Sequence, residues 1–146
     1  MDLLVDTDVL LDVALGRKPW GPKSRDVLNL CQGGPHTAFV AWHSVSTVYY
    51  IVTRQSVTGG REDRERLARE FIEDLLRFAQ VAPVDTEAMR LAVFSLRDVQ
   101  DLEDAMQIAA AVACHARAII TRNTRHYTRS PVPAVTPAEF LKAHTQ

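Results

Sequence analysis

Three polar side chains, far apart along the chain, each stand at the border of an apolar stretch. Asp6 directly follows the apolar run 3–5, Asp104 precedes an alanine-rich stretch, and Asn123 follows a later apolar run. In an open parallel sheet, polar residues just beyond the carboxyl ends of the strands converge on one crevice. Clustered carboxylate and amide oxygens suit Mg²⁺ or Mn²⁺. The spacing therefore predicts a divalent-metal site on Asp6 and Asp104, with Asn123 holding the metal or a metal-bound water.

The carboxylates near the start of the chain also have purely structural interpretations. Asp6 stands where a helix N-cap is expected, and Asp8 falls in a first helical turn, where the helix dipole favours an acid. Asp12, one turn further, is expected on a solvated helix face rather than at a ligand position. The sequence alone leaves capping and metal binding open for Asp6.

A second acidic group, Asp101, Glu103 and Asp104, surrounds the start of the alanine-rich helix. Capping by Asp101 and the helix dipole explain part of this clustering. Asp104, however, borders the apolar stripe that should face the sheet, which directs its carboxylate toward Asp6. Asp104 is therefore the better candidate ligand, and Asp101 is a candidate for an outer ligand. Asn123 is equally suited to a simple turn.

The basic cluster of the chain lies just after a predicted late strand. Arg122, Arg125, His126 and Arg129 form a cationic loop beside the predicted crevice, which suggests contacts to a polyanion. The formal net charge is −1, so the chain as a whole has no basic footprint for a polyanion. His126 is equally consistent with an ordinary exposed loop histidine.

Composition favours one globular domain spanning residues 1–146, with 47% hydrophobic and 24% charged residues. The two cysteines, Cys31 and Cys114, form no CxxC pair and are best interpreted as core thiols in a reducing compartment. Acidic residues interrupt the apolar start, which argues against a signal peptide. Since no apolar run reaches the ~20 residues needed to span a bilayer, we expect a cytoplasmic protein without a membrane segment.

Apolar periodicity predicts the element order β-α-α-β-α-α-β-α-α-β-β-α. Continuous apolar runs at 3–5, 37–40 and 118–121 are typical of strands that are buried on both faces. Shorter strands are expected at 81–84 and 132–135. Such alternation predicts an α/β fold: a three-layer α/β/α sandwich with a mainly parallel central sheet.

Four segments, taken in order, resemble the PIN-domain proteins, the fold of the VapC-like toxin ribonucleases of toxin–antitoxin pairs. Residues 3–12 resemble the opening strand of that family, and residues 101–107 resemble one of its acidic motifs. Residues 121–127 resemble its closing motif, and residues 132–141 are similar to its final strand and helix. The resemblance covers nearly the whole chain and implies the same three-layer fold.

The main departure from the family pattern concerns its acidic positions. The family commonly carries a Glu in the helix after the second strand, where this chain has Thr47. The chain thus resembles a branch that lacks the second acid. Asp101, or Asp8 at a position where the family usually has Asn, could compensate. With only Asp6 and Asp104 in place, the resemblance implies weaker metal binding than in relatives with four acids.

The resemblance implies a Mg²⁺- or Mn²⁺-dependent endoribonuclease in which a metal-activated water attacks the RNA phosphodiester. Asp6, Asp104 and Asn123 would carry the reaction, and the cationic loop would contact the RNA. A homodimer and a small antitoxin that covers the crevice are implied as well. The helix pair at 41–54 and 61–79 is the predicted partner-binding side, although packing on the sheet explains most of its apolar residues.

Three other functions fit parts of the sequence. The missing acid is consistent with a PIN-fold binding or regulatory module that lacks catalysis. The run ending in Asp6 and Asp8 also resembles the opening of haloacid-dehalogenase-type phosphatases, whose chemistry wants a distal lysine. The only lysine after Lys23 is Lys142, in the predicted last helix. A phosphoreceiver domain would use Asp85 as its phosphate acceptor, but the lysine that it needs on its last strand is missing.

Overall fold

A computed structural model of the protein describes residues 1–55 and 59–144. The sheet in this part of the chain consists of β1 (Asp2–Val5), β2 (Thr37–Val40), β3 (Gln80–Val81), β4 (Ala118–Ile120) and β5 (Ala134–Val135). All neighbouring strands pair in parallel, in the order β3-β2-β1-β4-β5. The predicted α/β fold with a parallel central sheet is confirmed.

Helices connect successive strands, as the alternating pattern predicts. Within the described residues they are α1 (Thr7–Ala14), α2 (Gly21–Gly33), α3 (Trp42–Gln55), α4 (Arg61–Leu76), α5 (Thr86–Arg90), α6 (Leu102–Ala113) and α7 (Pro137–His144). A π-helical turn, Leu91–Ser95, continues α5, and a 3₁₀ turn, Thr124–Tyr127, follows β4. None of the helices in 1–55 and 59–144 is long and apolar enough to cross a membrane.

Strand β1 is buried on both faces, which explains its continuous apolar run. Leu3 and Val5 pack into one core cluster, whereas Leu4 packs into a second cluster with Ile108 of α6 and Ile119 of β4. All five of these side chains are fully buried. The alanines of α6 let this helix lie close to the sheet, so the start of α6 reaches the edge where β1 ends.

The pairing of β1 with β4 determines where a site can form. Val5 lies opposite Ile120, and the backbone N–H of Asp6 donates to the Ile120 carbonyl at 2.9 Å. Asp6 and Thr121 are therefore neighbours just past the ends of two central strands. We call this side of the sheet the carboxyl edge, because parallel strands all end there and the polar residues that follow them meet there.

Candidate active site

Asp6 lies at the centre of the carboxyl edge and is only 7% exposed. Its Oδ1 accepts the Thr7 backbone N–H at 2.7 Å, so Asp6 is the N-cap of α1. Its Oδ2 accepts the hydroxyls of Thr121 at 2.7 Å and Tyr127 at 2.8 Å. Burial raises the pKa of Asp6, although these hydrogen bonds act in the opposite direction. Capping does not exclude metal binding, because the cap uses one lone pair of one oxygen.

Asp104 stands in the first turn of α6, with its side chain 19% exposed. Its Oδ2 lies 3.0 Å from Nδ1 of His126. Burial raises the pKa of Asp104, the contact with His126 lowers it, and the charges of Asp101 and Asp6 raise it further. Asp6 and Asp104 therefore share one electrostatic environment. Asp101 is exposed and caps α6, since its Oδ1 accepts the Glu103 N–H at 2.7 Å.

Glu103 is a third carboxylate at this edge, and sequence reasoning did not select it as a site residue. Its Oε1 accepts a hydrogen bond from the Thr7 hydroxyl at 3.3 Å. Burial raises the pKa of Glu103, the Thr7 hydrogen bond lowers it, and the charges of Asp6 and Asp101 raise it. The signal available in the sequence is its position directly before Asp104 in the first turn of the same helix.

A buried polar network connects α1, α3 and α6 beneath the carboxylates. The Thr7 and Ser44 hydroxyls lie 2.8 Å apart, and the Gln107 side-chain amide donates to both, at 2.9 Å and 2.8 Å. Ser44 and Gln107 are fully buried, and Oε1 of Gln107 has no hydrogen-bond partner among the described residues. Thr47, which stands where the family carries Glu, is half-buried one turn further along α3. Ser44 therefore provides the α3 contact to this network.

Asp8 ties the start of α1 to the chain that follows β4. Its Oδ2 accepts the Arg122 backbone N–H at 3.2 Å and the Asn123 side-chain amide at 3.1 Å. Burial and the charge of Asp6 raise the pKa of Asp8 to about 7, although Arg122 acts in the opposite direction. Asn123 thus uses its amide nitrogen to hold Asp8. Its amide oxygen is the group that would serve the predicted metal or water.

The prediction of a solvated Asp12 is wrong. Asp12 is completely buried in α1, with its Oδ2 3.0 Å from Nε of Arg122 and its Oδ1 4.0 Å from Nη1 of Arg17. The Arg122 pair is an ion pair by distance, but its N–H does not point at the oxygen as in a hydrogen bond. Arg122 also stacks on Trp20, with 4.3 Å between its guanidinium carbon and the ring centroid. Because the pairing comes from a residue far along the chain, local sequence pattern could not reveal it.

The remaining residues of the predicted cationic loop lie on the other side of Asp104. Arg125, His126 and Arg129 line a cleft of about 420 Å³ together with Asp98, Asp101 and Asp104. Arg129 pairs with Asp98 at 3.7 Å. The cleft thus combines cations that suit phosphate oxygens with the acidic start of α6. Arg122 does not line this cleft but contacts the buried Asp12 and the Trp20 ring.

The donor set of the edge fits a hard divalent cation. The charge of Asp6 raises the pKa of Asp8, Glu103 and Asp104, which indicates an excess of negative charge. Within residues 1–55 and 59–144, no three His, Cys, Asp or Glu side chains form a ready-made metal cage. Mg²⁺ keeps several waters and is usually held by one or two carboxylates, so it needs no such cage. Carboxylate and amide oxygens without thiolates favour Mg²⁺ or Mn²⁺ over zinc.

Fold and site together define the class: an open, parallel α/β protein with a carboxylate cluster where its central strands end. Residues 2–125 match the PIN domain family. The chain therefore belongs to the PIN domain family, as its four motifs predict. No curated protein sequence matches the chain.

Solved structures with the same fold include a toxin–antitoxin complex. VapBC2 from Rickettsia felis bound to promoter DNA aligns with a TM-score of 0.67 at 11% identity, over 93% of this chain and 98% of that one. A toxin–antitoxin complex from Klebsiella pneumoniae gives 0.67 at 20% identity, over 92% and 97%. FitAcB from Neisseria gonorrhoeae gives 0.64 at 15% identity, over 93% and 98%. At these identities the likeness defines the fold.

Proposed function

We propose that the protein is a Mg²⁺- or Mn²⁺-dependent endoribonuclease and the toxin of a toxin–antitoxin pair. The observation that carries this proposal is the approach of the starts of α1 and α6 at the carboxyl edge, where the Thr7 hydroxyl lies 3.3 Å from Oε1 of Glu103 and the charge of Asp6 raises the pKa of Asp104. Family membership supports it, because residues 2–125 match the PIN domain, a family of nucleases. The structural neighbours support the second part, since they include a toxin–antitoxin complex.

Asp6 and Asp104 would hold the metal directly, with Asn123 and Asp101 reached directly or through water. The bound ion would supply an acidified water as the nucleophile and would offset charge on the phosphoryl oxygens. The hydroxyls of Thr121 and Tyr127 orient the Asp6 carboxylate before any ligand binds. Preorganised carboxylates of this kind lower the cost of assembling the site.

His126 and the arginines beside it would act on the substrate side. His126 holds Asp104 through Oδ2, which leaves the other carboxylate oxygen for a ligand. Arg125 and Arg129 line the neighbouring cleft and would contact RNA phosphates on either side of the scissile bond. The RNA strand would then cross the carboxyl edge from the cationic cleft to the acidic cluster.

A metal titration tests the site independently of turnover. We expect Mn²⁺ to bind the wild-type protein in calorimetry and Asp104→Asn to weaken that binding at least tenfold. Asp85→Asn is the matched control: Asp85 caps α5 from an exposed position, and Asn is an equally good cap. Equal binding by wild type and Asp104→Asn would contradict the proposal. It would favour the alternative function, a PIN-fold binding module without catalysis.

An RNA assay tests the activity. Cleavage of a structured RNA should require added Mg²⁺ or Mn²⁺ and should disappear in Asp6→Asn and Asp104→Asn, but not in Asp85→Asn. The absent second acid predicts a higher metal requirement than in four-acid relatives. Full activity at micromolar Mg²⁺ would contradict that expectation.

The partner-binding side proposed from sequence has a matching groove. A cavity of about 540 Å³ between α3 and α4 is lined by Trp42, Val45, Ser46, Tyr49, Arg69, Ile72 and Glu73. The lining of this groove is largely apolar, with Arg69 and Glu73 as its charged residues. Such a groove would accept an amphipathic segment of an antitoxin. Homodimer formation remains a prediction, to be measured by light scattering.

A further inference from the structure

An exposed tryptophan stands beside the candidate site, on the far side of Arg122. Trp20 precedes α2 and is 46% exposed, and the Arg122 guanidinium stacks against its ring. A cavity of about 270 Å³ opens next to this pair. Its walls include Pro19, Trp20, Lys23, Arg122, Thr136 and Pro137. The proposed catalytic chemistry uses none of these groups.

The cavity belongs to the same carboxyl edge as the acidic cluster. Arg122 follows β4 and Thr136 follows β5, and these two strands are neighbours in the sheet. The Arg122 backbone N–H donates to Asp8, and the adjacent Thr121 donates to Asp6. The Trp20 ring and the Asp6 carboxylate are thus linked through two consecutive residues, because Arg122 contacts the ring and Thr121 contacts the carboxylate.

Buried contacts fix the Trp20–Arg122 pair in place. Asp12, which is completely buried, lies 3.0 Å from Arg122 and so anchors the guanidinium from below. The aromatic face is then oriented before a ligand arrives, which reduces the entropy lost on binding. Lys23 is exposed at the rim of the same cavity.

We propose that this cavity is a nucleobase-binding subsite for single-stranded RNA. One base stacks on Trp20 between the proline walls, and Lys23 pairs with a neighbouring phosphate. Base–aromatic stacking accepts every base because each has a π-face, and a stacked arginine strengthens it. This inference rests on the proposed ribonuclease function, because the strand it describes is the substrate of that site.

Fluorescence of a single tryptophan tests the subsite directly. The chain has two tryptophans, so Trp42→Phe leaves Trp20 as the only reporter. The measurement uses the full chain with Asp104→Asn, Mg²⁺ and a short single-stranded RNA of mixed sequence, with RNA integrity checked on a gel. We expect a saturable change in Trp20 emission as RNA is added.

Substitutions test whether the contact contributes to affinity. Trp20→Ala should weaken binding of a labelled RNA roughly 5- to 150-fold, whereas Trp20→Phe should keep most of the affinity. Tyr50→Ala is the matched control, because Tyr50 is also exposed under an arginine, Arg54 at 4.0 Å, but lies two turns into α3. Lys23→Gln should lower the slope of log affinity against log salt by about 0.7.

The outcomes separate this inference from the function it builds on. Equal RNA affinity of Trp20→Ala and Tyr50→Ala, or no response of Trp20 to RNA, overturns the subsite while leaving RNA cleavage by the wild type intact. A Trp20 response to a partner protein but not to RNA overturns it as well. A wild type that never cleaves RNA, combined with a Trp20 response to RNA and weaker binding of labelled RNA by Trp20→Ala than by Tyr50→Ala, overturns the proposed ribonuclease and supports the subsite.

Discussion

Asp12 and Arg122 are the clearest example of a residue pair that holds this protein together from within. Asp12 is fully buried in α1, and Arg122 reaches it from the end of β4 while Trp20 covers the guanidinium. A buried carboxylate is tolerated when a cation and hydrogen bonds accompany it. The Ser24 hydroxyl supplies one such bond, at 3.4 Å.

Removing the cation should therefore destabilise the fold strongly. We expect Arg122→Met to lower the free energy of unfolding by about 3–5 kcal/mol, because it leaves the buried Asp12 charge with only Arg17, at 4.0 Å, as a nearby cation. Urea denaturation measures this change. The control is Arg129→Met, whose ion pair with Asp98 is two-thirds exposed and should contribute less than about 1 kcal/mol. The Arg122→Met, Asp12→Asn double variant should recover most of the loss.

Glu103, which the sequence pattern did not single out, is expected to contribute to metal affinity. The Thr7 hydroxyl donates to Glu103 at 3.3 Å, and the charge of Asp6 acts on Glu103, so this carboxylate would support the proposed metal site. We expect Glu103→Gln to weaken Mn²⁺ binding about 10-fold or more, measured by calorimetry. Glu87→Gln, on exposed α5, is the control. If Glu103→Gln leaves the Mn²⁺ affinity unchanged, the role of Glu103 is limited to a favourable interaction with the dipole of α6.

The sequence revealed some of these residues and hid others for physical reasons. Asp6 and Asp104 stand out because each borders a buried apolar run. Asp12 was misjudged since its partner Arg122 arrives through tertiary structure, which no local period encodes. Ser44 and Gln107 were passed over because a polar residue on a sheet-facing stripe has no partner visible in sequence.

We expect the docking of α7 to depend on pH, because a histidine packs against this helix. Phe140 of α7 packs against His36, with 5.3 Å between ring centroids, and stacks on His144 at 4.3 Å. Burial lowers the pKa of His36, and the N-terminal amino group and His144 lower it further. The folded protein thus binds a proton at His36 less tightly than the unfolded chain does.

Protonation of His36 should consequently favour unfolding. Its contribution to stability is complete above the unfolded pKa of about 6.5 and is lost as the pH falls below that value. We expect the difference in free energy of unfolding between wild type and His36→Gln to shrink or reverse between pH 8 and pH 5. Thermal and urea denaturation at both pH values measure it.

His115→Asn is the control for this titration. His115 is exposed and has a φ of 55°, a conformation that Asn tolerates well. The carboxylates of the site, whose pKa values are raised, change stability with pH in the opposite direction. Only the difference between variants therefore isolates His36. An unchanged difference from pH 8 to pH 5 would show that α7 docks without regard to this histidine.

The elements themselves were largely predictable. Alternating strands and helices gave their order, because a short apolar run flanked by amphipathic helices has few other folded arrangements. The π-helical turn after α5 was not foreseen, since it departs from the period that the sequence pattern follows.

Large exposed aromatic side chains lie on two surfaces of the molecule, one at α3 and one at the π-helical turn. Trp42 on the α3–α4 side is 70% exposed, and Phe94 in the π-helical turn is 67% exposed. Only Trp42 belongs to the groove proposed for the antitoxin. These two residues therefore provide a matched comparison for partner binding.

If the proposed antitoxin is encoded by a neighbouring reading frame, we expect Trp42→Glu to abolish co-purification with it. Phe94→Glu should retain it, because a charge there faces no proposed partner. Mn²⁺ affinity, measured on both variants, should stay at the wild-type value. If only Phe94→Glu loses the complex, the partner binds at the π-helical turn and not at the α3–α4 groove.

The pairing of β1 with β4 also decides when the acidic edge comes into being. The hydroxyl of Thr121 donates to the carboxylate of Asp6 across two strands that lie far apart along the chain, so a polypeptide still emerging from the ribosome has the first carboxylate but not its support. Non-local parallel pairing of this kind forms slowly. If the protein degrades RNA as proposed, the growing chain cannot cleave RNA until β4 has been synthesised and has paired with β1.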